Sequence, residues 1–349
     1  MRFVHGVAQH YEWGDHDAIP QLLGVPTDGR PWAEWWLGTH RSAVSRLSDG
    51  TPLSELSGEL PYLLKLLAAA HPLSLQTHPD AATAAEGYAR EEAARVALHD
   101  PRRIYRDPFA KPELLCALTA FDTLCGFRPV AATEALLREL GADEAASVLH
   151  HRGLEAVVAD LYLGAVDATA IVAACAGHRS SEAALVTRLN ANYPNEPSVA
   201  VTLLLNRVLL QPGEAIFLGP GNLHAYLHGF GVEIMGASDN VVRGGLTTKH
   251  IDVPELLAVL RFEQLANPIV EAVEVEQGRW CYPTPEAPFE LWRFEVDHRM
   301  SHTSQGNELL LCTSGTTGPL QHGAAAHLAV GETVVLEGPS TVFRVRQNG

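Results

Sequence analysis

Basic side chains are scarce in this sequence. Lys and Arg together number 25 against 41 Asp and Glu, a formal net charge of −16, which argues against a nucleic-acid or anionic-membrane partner. Any anionic ligand must then be held by a local group of cations. Cysteine is also sparse: Cys116, Cys125, Cys175, Cys281 and Cys312 are scattered, with no C-x-x-C pair, and an odd count makes a poor disulfide framework. Reduced thiols and a cytoplasmic location are the expectation. No stretch approaches the ~20 apolar residues of a membrane span, and MRFVHGVAQHYEWGDHD at the start has no uninterrupted apolar h-region. The chain reads as soluble.

What is present is bulk. With 349 residues, 46% of them hydrophobic, there is material for two or three domains with sizeable cores. The chain is expected to fold alone; its oligomeric state is open, and a monomer is compatible. Residues 1–80 mix short β-type runs with Gly, Pro and Trp. From 81 to 98 an alanine-rich helix is expected, and after a break helical spacing dominates to about residue 192, with Thr133 and Ser180 or Ser181 as caps. Short strands return from residue 200 to the end. The fold class is therefore mainly β with an inserted helical domain.

LQPGEAIFLGPGNLHAY (210–226) resembles LAVGETVVLEGPSTVFRV (328–345). Two β-barrel units would explain this, and so would common Gly-Glu turn chemistry. His224 of the first copy falls on Val342 or Phe343 of the second, so if the copies are related only the first carries chemistry.

In SLQTHPD (74–80) strand alternation turns Gln76 and His78 to one side, and KPE (111–113) does the same for Lys111 and Glu113. In NLHAYLHG, His224, Tyr226 and His228 share a face. Residues two apart lie about 6.6 Å from each other, whereas His224 and His228 are about 13 Å apart and cannot easily share one ion. Two His, one carboxylate and an amide oxygen on facing strands suit a divalent cation, most simply Zn²⁺. A lone histidine among 17 is more often a hydrogen-bonded surface or core residue, so spacing alone is weak support.

WWLGTHRSAVS (35–45), SLQTHPD, KPELLCALTAFDTLCGFRP (111–129) and GNLHAYLHGFGVEIMGASDNVVRGGLTTKHIDVPELL (221–257) together resemble the type I mannose-6-phosphate isomerases. The resemblance runs from Tyr11 to about Leu260, with a looser tail. It implies cupin-type (jelly-roll) β-barrels in two units: a catalytic domain of 1–130 plus 193–260, a helical insertion of 131–192, and a cupin-like domain of 261–349 without metal ligands. It also implies one zinc per chain, held by Gln76, His78, Glu113 and His224, and a phosphorylated hexose substrate isomerised through a cis-enediol. On the same basis Arg243, Lys111, Asp239 and Glu233 are the catalytic candidates, and Lys249, Asn240 and Tyr226 the substrate-binding ones. Asp239 or Glu233 serves as the base or as its orienter, with Asp239 and Lys111 the leading pair. Relatives commonly carry His before K-P-E where this chain has Ala110, which puts any mechanism needing that histidine in doubt.

Two other functions fit part of the pattern: an Fe(II) oxygenase of the cupin type, and a non-catalytic sugar-phosphate binder. Gln76 as a fourth ligand and the cations Lys111, Arg243 and Lys249 favour the isomerase. Trp32, Trp35 and Trp36 are expected to pack a barrel end, and His298 and His302 to lie on the surface. GPGNLHAYLHGFG lacks the strand-to-helix context of a phosphate loop, and His40 has no assigned role.

Overall fold

Leucine-, valine- and aromatic-rich runs punctuated by Gly and Pro pair into two large antiparallel sheets in the computed structural model, which describes residues 1–285 and 287–348. In the eleven-stranded sheet, seven strands lie in the order Ile269–Val270, Ala215–Leu218, Glu113–Ala117, His224–Gly236, Tyr62–Ala69, Glu34–Gly38 and Val7–Gln9. The strand His224–Gly236 is long enough to serve two layers. Its C-terminal part pairs with Tyr62–Ala69 and Glu113–Ala117, and its first residues with Leu75–Thr77 and Phe121–Phe127. Gly229 lies at the passage with φ 137°, where a Cβ would come within 2.7 Å of the Phe121 ring; glycine is required there. Val242–Gly245 then extends the second layer beside Leu75–Thr77.

The eight-stranded sheet is built mostly from residues after 272, but it also takes in Arg2–His5 and Arg46–Leu47. Arg2–His5 pairs with Ala325–Leu328, which departs from the expected grouping of residues 1–130 in one catalytic unit. Four residues, RFVH, carry no sign of a partner on the far side of the chain. Among the described residues neither sheet closes into a barrel. The two similar turns share one local device: Glu214 and Glu332 each accept a hydrogen bond from the backbone N–H three residues back, at 2.8 and 2.9 Å. Among the described residues Thr333–Glu337, after the second turn, pairs only with Arg299–Thr303, in a separate ribbon.

Alternation along the strands separates two faces. Leu64, Leu66, Leu114, Cys116, Val232 and Ile234 pack against Phe289, Leu291, Leu309, Leu311 and Phe343 of the second sheet. At about 25 cal/mol per Å² of apolar surface removed from water, this interlayer core is a main source of stability. The opposite face carries Trp36, Leu63 and Met235, and among them the buried polar residues Glu34, Lys65, Glu113 and Glu233.

Four helices (Val130–Glu139, Asp143–Leu163, Ala168–Cys175 and Ser181–Asn192) lie across the stretch 131–192, and a fifth, Pro197–Val201, lies past its end. They share one core with strand residues, Leu149, Val157, Leu161 and Val186 lying with Leu75, Leu124 and Val242. Ser180 caps its helix by accepting from Ala183 N at 3.2 Å. Thr133 does not cap: Pro129 takes that position, and the Thr133 hydroxyl donates to Pro129 O from within the helix. The expected 81–98 helix stops at Ala93. His302 is buried rather than superficial, because Glu308 and Arg344 meet beneath it; its Nε2 lies 2.6 Å from Glu308. Among the described residues no single helix is long and apolar enough to cross a membrane.

Candidate metal centre and active site

Neighbouring strands and their ends bring the centre together. Glu113 and His224 each open a strand, Gln76 is the middle residue of Leu75–Thr77, and His78 follows directly. Pro79 then stops the pairing, and Asp80 caps the next helix by accepting from Thr83 N at 2.8 Å. Gln76 is the cross-strand partner of His224 on one side and of Arg243 on the other. Those three side chains therefore stand in one row on one face.

His78, Glu113 and His224 are at most 2% exposed, and their ligand atoms all lie within 4.8 Å of one another. Each imidazole faces a carbonyl through Nδ1, so each must donate there: His78 to Asn240 O at 2.8 Å and His224 to Asn222 O at 3.0 Å. The Nε2 atoms are left with bare lone pairs. They point at Glu113, 3.2 Å from His78 Nε2 to Oε1 and 3.5 Å from His224 Nε2 to Oε2. Lone pairs set against a carboxylate repel, and His78 Nε2 and Glu113 Oε2 have no hydrogen-bond partner. Burial lowers His78 to about 4, which keeps it neutral. Burial pushes Glu113 up, but Lys111, whose Nζ is 2.9 Å from Oε1, outweighs it and holds the carboxyl well below its usual range. A cation removes the conflict, and the donor set with its carbonyl-anchored imidazoles fits zinc. Gln76 lies against His224, Nε2 to Nε2 at 3.5 Å, with Oε1 accepting from Ser74; as a ligand it must turn its amide over. His228 is exposed, beyond a shift in register after Tyr226.

Behind the centre runs a buried chain. Lys65 Nζ bridges Glu34 at 3.2 Å and Glu233 at 2.9 Å, Trp36 Nε1 donates to Glu34, and the Tyr226 hydroxyl donates to Glu233 at 2.9 Å. Burial, together with the nearby Glu113 and Glu34, raises Glu233 above the usual carboxylate range despite Lys65. The Tyr226 hydroxyl is therefore already engaged. Asp239 is half-buried and faces His40 Nε2 at 3.3 Å and Arg41 at 3.4 Å. Burial works against its ionisation, but these two partners bring it down to about 2. The Asn240 amide is consumed by the neighbouring loop: Oδ1 accepts from Arg106 N, and Nδ2 donates to Asp107 O and Phe109 O.

Arg243 and Lys249 are joined by Arg106. Burial and the repulsion of Arg106 lower Arg243, and burial with Arg243 and Arg106 lowers Lys249. Among the described residues no carboxylate influences either one. Sequence reasoning gave His40 no role and missed Arg41, Arg106, Glu34 and Lys65. Only Lys65 carries a signal, a lone cation inside the apolar run PYLLKLLAAA, which demands buried partners.

A mainly β scaffold with a buried two-histidine, one-carboxylate centre beside uncompensated cations defines a metal-dependent protein for small anionic ligands. The profile of the family described as phosphomannose isomerase type I, catalytic domain, matches residues 2–130. The chain is 32% identical to the mannose-6-phosphate isomerase of Escherichia coli (strain K12), over 100% of this chain and 98% of that one. It is 28% identical to the mannose-6-phosphate isomerase of Homo sapiens, with 94% and 93% covered. A crystal structure of mannose 6-phosphate isomerase from Salmonella typhimurium, bound to substrate and a zinc atom, matches with a TM-score of 0.85 at 29% identity, over 100% of both chains. This chain belongs to the type I phosphomannose isomerase family.

Proposed function

We propose that this chain is a zinc-dependent aldose–ketose isomerase that interconverts mannose 6-phosphate and fructose 6-phosphate through a cis-enediol. The observation that carries this reading is the convergence of two bare Nε2 atoms on Glu113, with His224 in one strand row with Arg243, a cation that no carboxylate among the described residues pairs. His78, Glu113, His224 and a turned Gln76 would hold one zinc per chain. When bound, zinc supplies positive charge that polarises sugar oxygens and orders the pocket.

The reaction must take a proton from C2, return it at C1 and stabilise negative charge on the adjacent oxygens. Lys111, fixed against Glu113, supplies charge beside the enediolate. Glu233, whose hold on a proton is strengthened by burial, is the better base; Lys65 and Tyr226 hold its two oxygens. Asp239, kept anionic by His40 and Arg41, is a weak base and takes the orienting role. Arg243 offers a fork of donors, and with Lys249 and Arg106 it seats the phosphate. Asn240 shapes the loop under this seat. No step here needs the histidine that Ala110 replaces.

We also assign the layers that share His224–Gly236 to an opened jelly roll of the cupin type, with the helical insertion and the C-terminal sheet as further domains, in a cytoplasmic protein. The functional test is to strip zinc with a chelator, restore it, and compare mannose 6-phosphate with mannose. Activity should vanish and return with zinc, and mannose should react poorly. Equal turnover of the unphosphorylated sugar would remove the phosphate seat from the account.

A further inference from the structure

The segment that carries Arg243 and Lys249 is held from the helical block. Tyr162, near the end of Asp143–Leu163, donates its hydroxyl proton to Gly244 O at 2.7 Å. Glu196, just before Pro197–Val201, accepts the Leu246 N–H at 2.9 Å. Ser198 donates to that same Glu196 oxygen at 2.9 Å and closes against Gly245, where any Cβ would overlap it. Leu246 itself sits at φ 52°, buried to 1% exposure. Leucine persists in that left-handed region only where its surroundings enforce it. The strained residue lies between the two cations, three positions after Arg243 and three before Lys249.

We propose that Tyr162, Glu196 and Ser198 are positioning residues for the phosphate: by fixing Gly244–Leu246 they aim Arg243 and Lys249 at one anion, and so give the helical block control of substrate affinity. This rests on the phosphate seat assigned above. The physical reason is preorganisation. Two long cations that repel each other do not converge unaided, and in a chain of net charge −16 little long-range attraction compensates. Holding their backbone beforehand removes an ordering cost that each binding event would otherwise carry. The block contributes no ligand to the metal centre, so its effect should fall on binding and not on zinc.

The test uses the full zinc-loaded chain with inorganic phosphate as a competitive inhibitor of mannose 6-phosphate turnover. Tyr162→Phe and Glu196→Ala are each expected to raise KM and the phosphate inhibition constant in parallel, by about three- to tenfold for a lost hydrogen bond. Zinc content should stay at the wild-type level, and kcat should change less than KM. If the melting temperature falls while both constants hold, the contacts are a structural staple and the proposal is overturned. Should Glu196→Ala fail to fold, Tyr162→Phe, which deletes one hydroxyl, carries the test alone. Arg243→Ala separates the two layers of the argument. If it weakens phosphate inhibition while the two clamp variants do not, the clamp alone fails; if it leaves inhibition unchanged, the seat and the clamp fail together.

Discussion

Replacing Lys65 by Met should expose how much the buried ion chain depends on one ammonium. Lys65 is 5% exposed and neutralises both Glu34 and Glu233, at 3.2 and 2.9 Å. Methionine fills much of the same volume but leaves two carboxylates facing each other without water. Breaking a buried pair in this way costs about 3–5 kcal/mol. With an unfolding entropy of about 2.1 cal/mol/K per residue, this lowers Tm by about 4–7 °C for a chain of this length. The pH dependence has a definite sign. Burial already raises Glu233 in the folded protein, and losing Lys65 raises it further, so the fold prefers the protonated carboxyl more strongly than the unfolded chain does. Stability of the variant is then best at low pH and is lost as pH rises through the raised value; its deficit should narrow on acidification. Calorimetry of zinc-loaded wild-type, Lys65→Met and Lys65→Met/Glu233→Gln proteins reads this directly, and the double variant should recover part of the loss. A Tm unchanged at neutral pH, or a deficit that does not depend on pH, would refute the electrostatic reasoning.

The other predictions are simpler to read. His224→Ala should lose zinc and activity together, whereas His228→Ala, exposed on the same strand, should keep both; equal metal loss in the two, measured by elemental analysis, would contradict the geometry. Arg243→Lys keeps charge but loses the fork, and should raise KM for mannose 6-phosphate roughly tenfold, about 1.4 kcal/mol of binding, with zinc unchanged and kcat changed less; a lowered kcat at unchanged KM would contradict the phosphate seat. Burial keeps His78 neutral down to about 4, so in the metal-free protein its ring should still be neutral at about pH 6, where an ordinary histidine near 6.5 is mostly protonated. A His78 ring that NMR titration shows protonated at that pH would mean that the imidazole is not shielded.

Residues close in sequence announced themselves, and partners far apart did not. Gln76 and His78 were legible because strand alternation puts them on one face, and the exclusion of His228 followed from the same spacing. The helices were legible from their period. The pairing of Arg2–His5 with Ala325–Leu328 was not, since four residues do not encode which distant edge they meet. Nor was the engagement of Asp239 by His40 and by Arg41, the latter 198 residues away. Asn240 and Tyr226 illustrate a different limit: sequence brings a polar residue near a site, but only its neighbours decide whether its hydrogen bonds are already spent. His302 lay hidden for the related reason that its companion Arg344 comes from another strand.

The central claim is that zinc held by His78, Glu113 and His224 serves an oxygen-independent sugar-phosphate isomerisation. One measurement tests it most directly: anaerobic conversion of mannose 6-phosphate by protein of known metal content, without nucleotide. The account predicts about one zinc per chain and accumulation of fructose 6-phosphate at a rate proportional to zinc occupancy. Background turnover in fully zinc-loaded protein would contradict it, and consumption of substrate only when oxygen is admitted would point to an oxygenase instead.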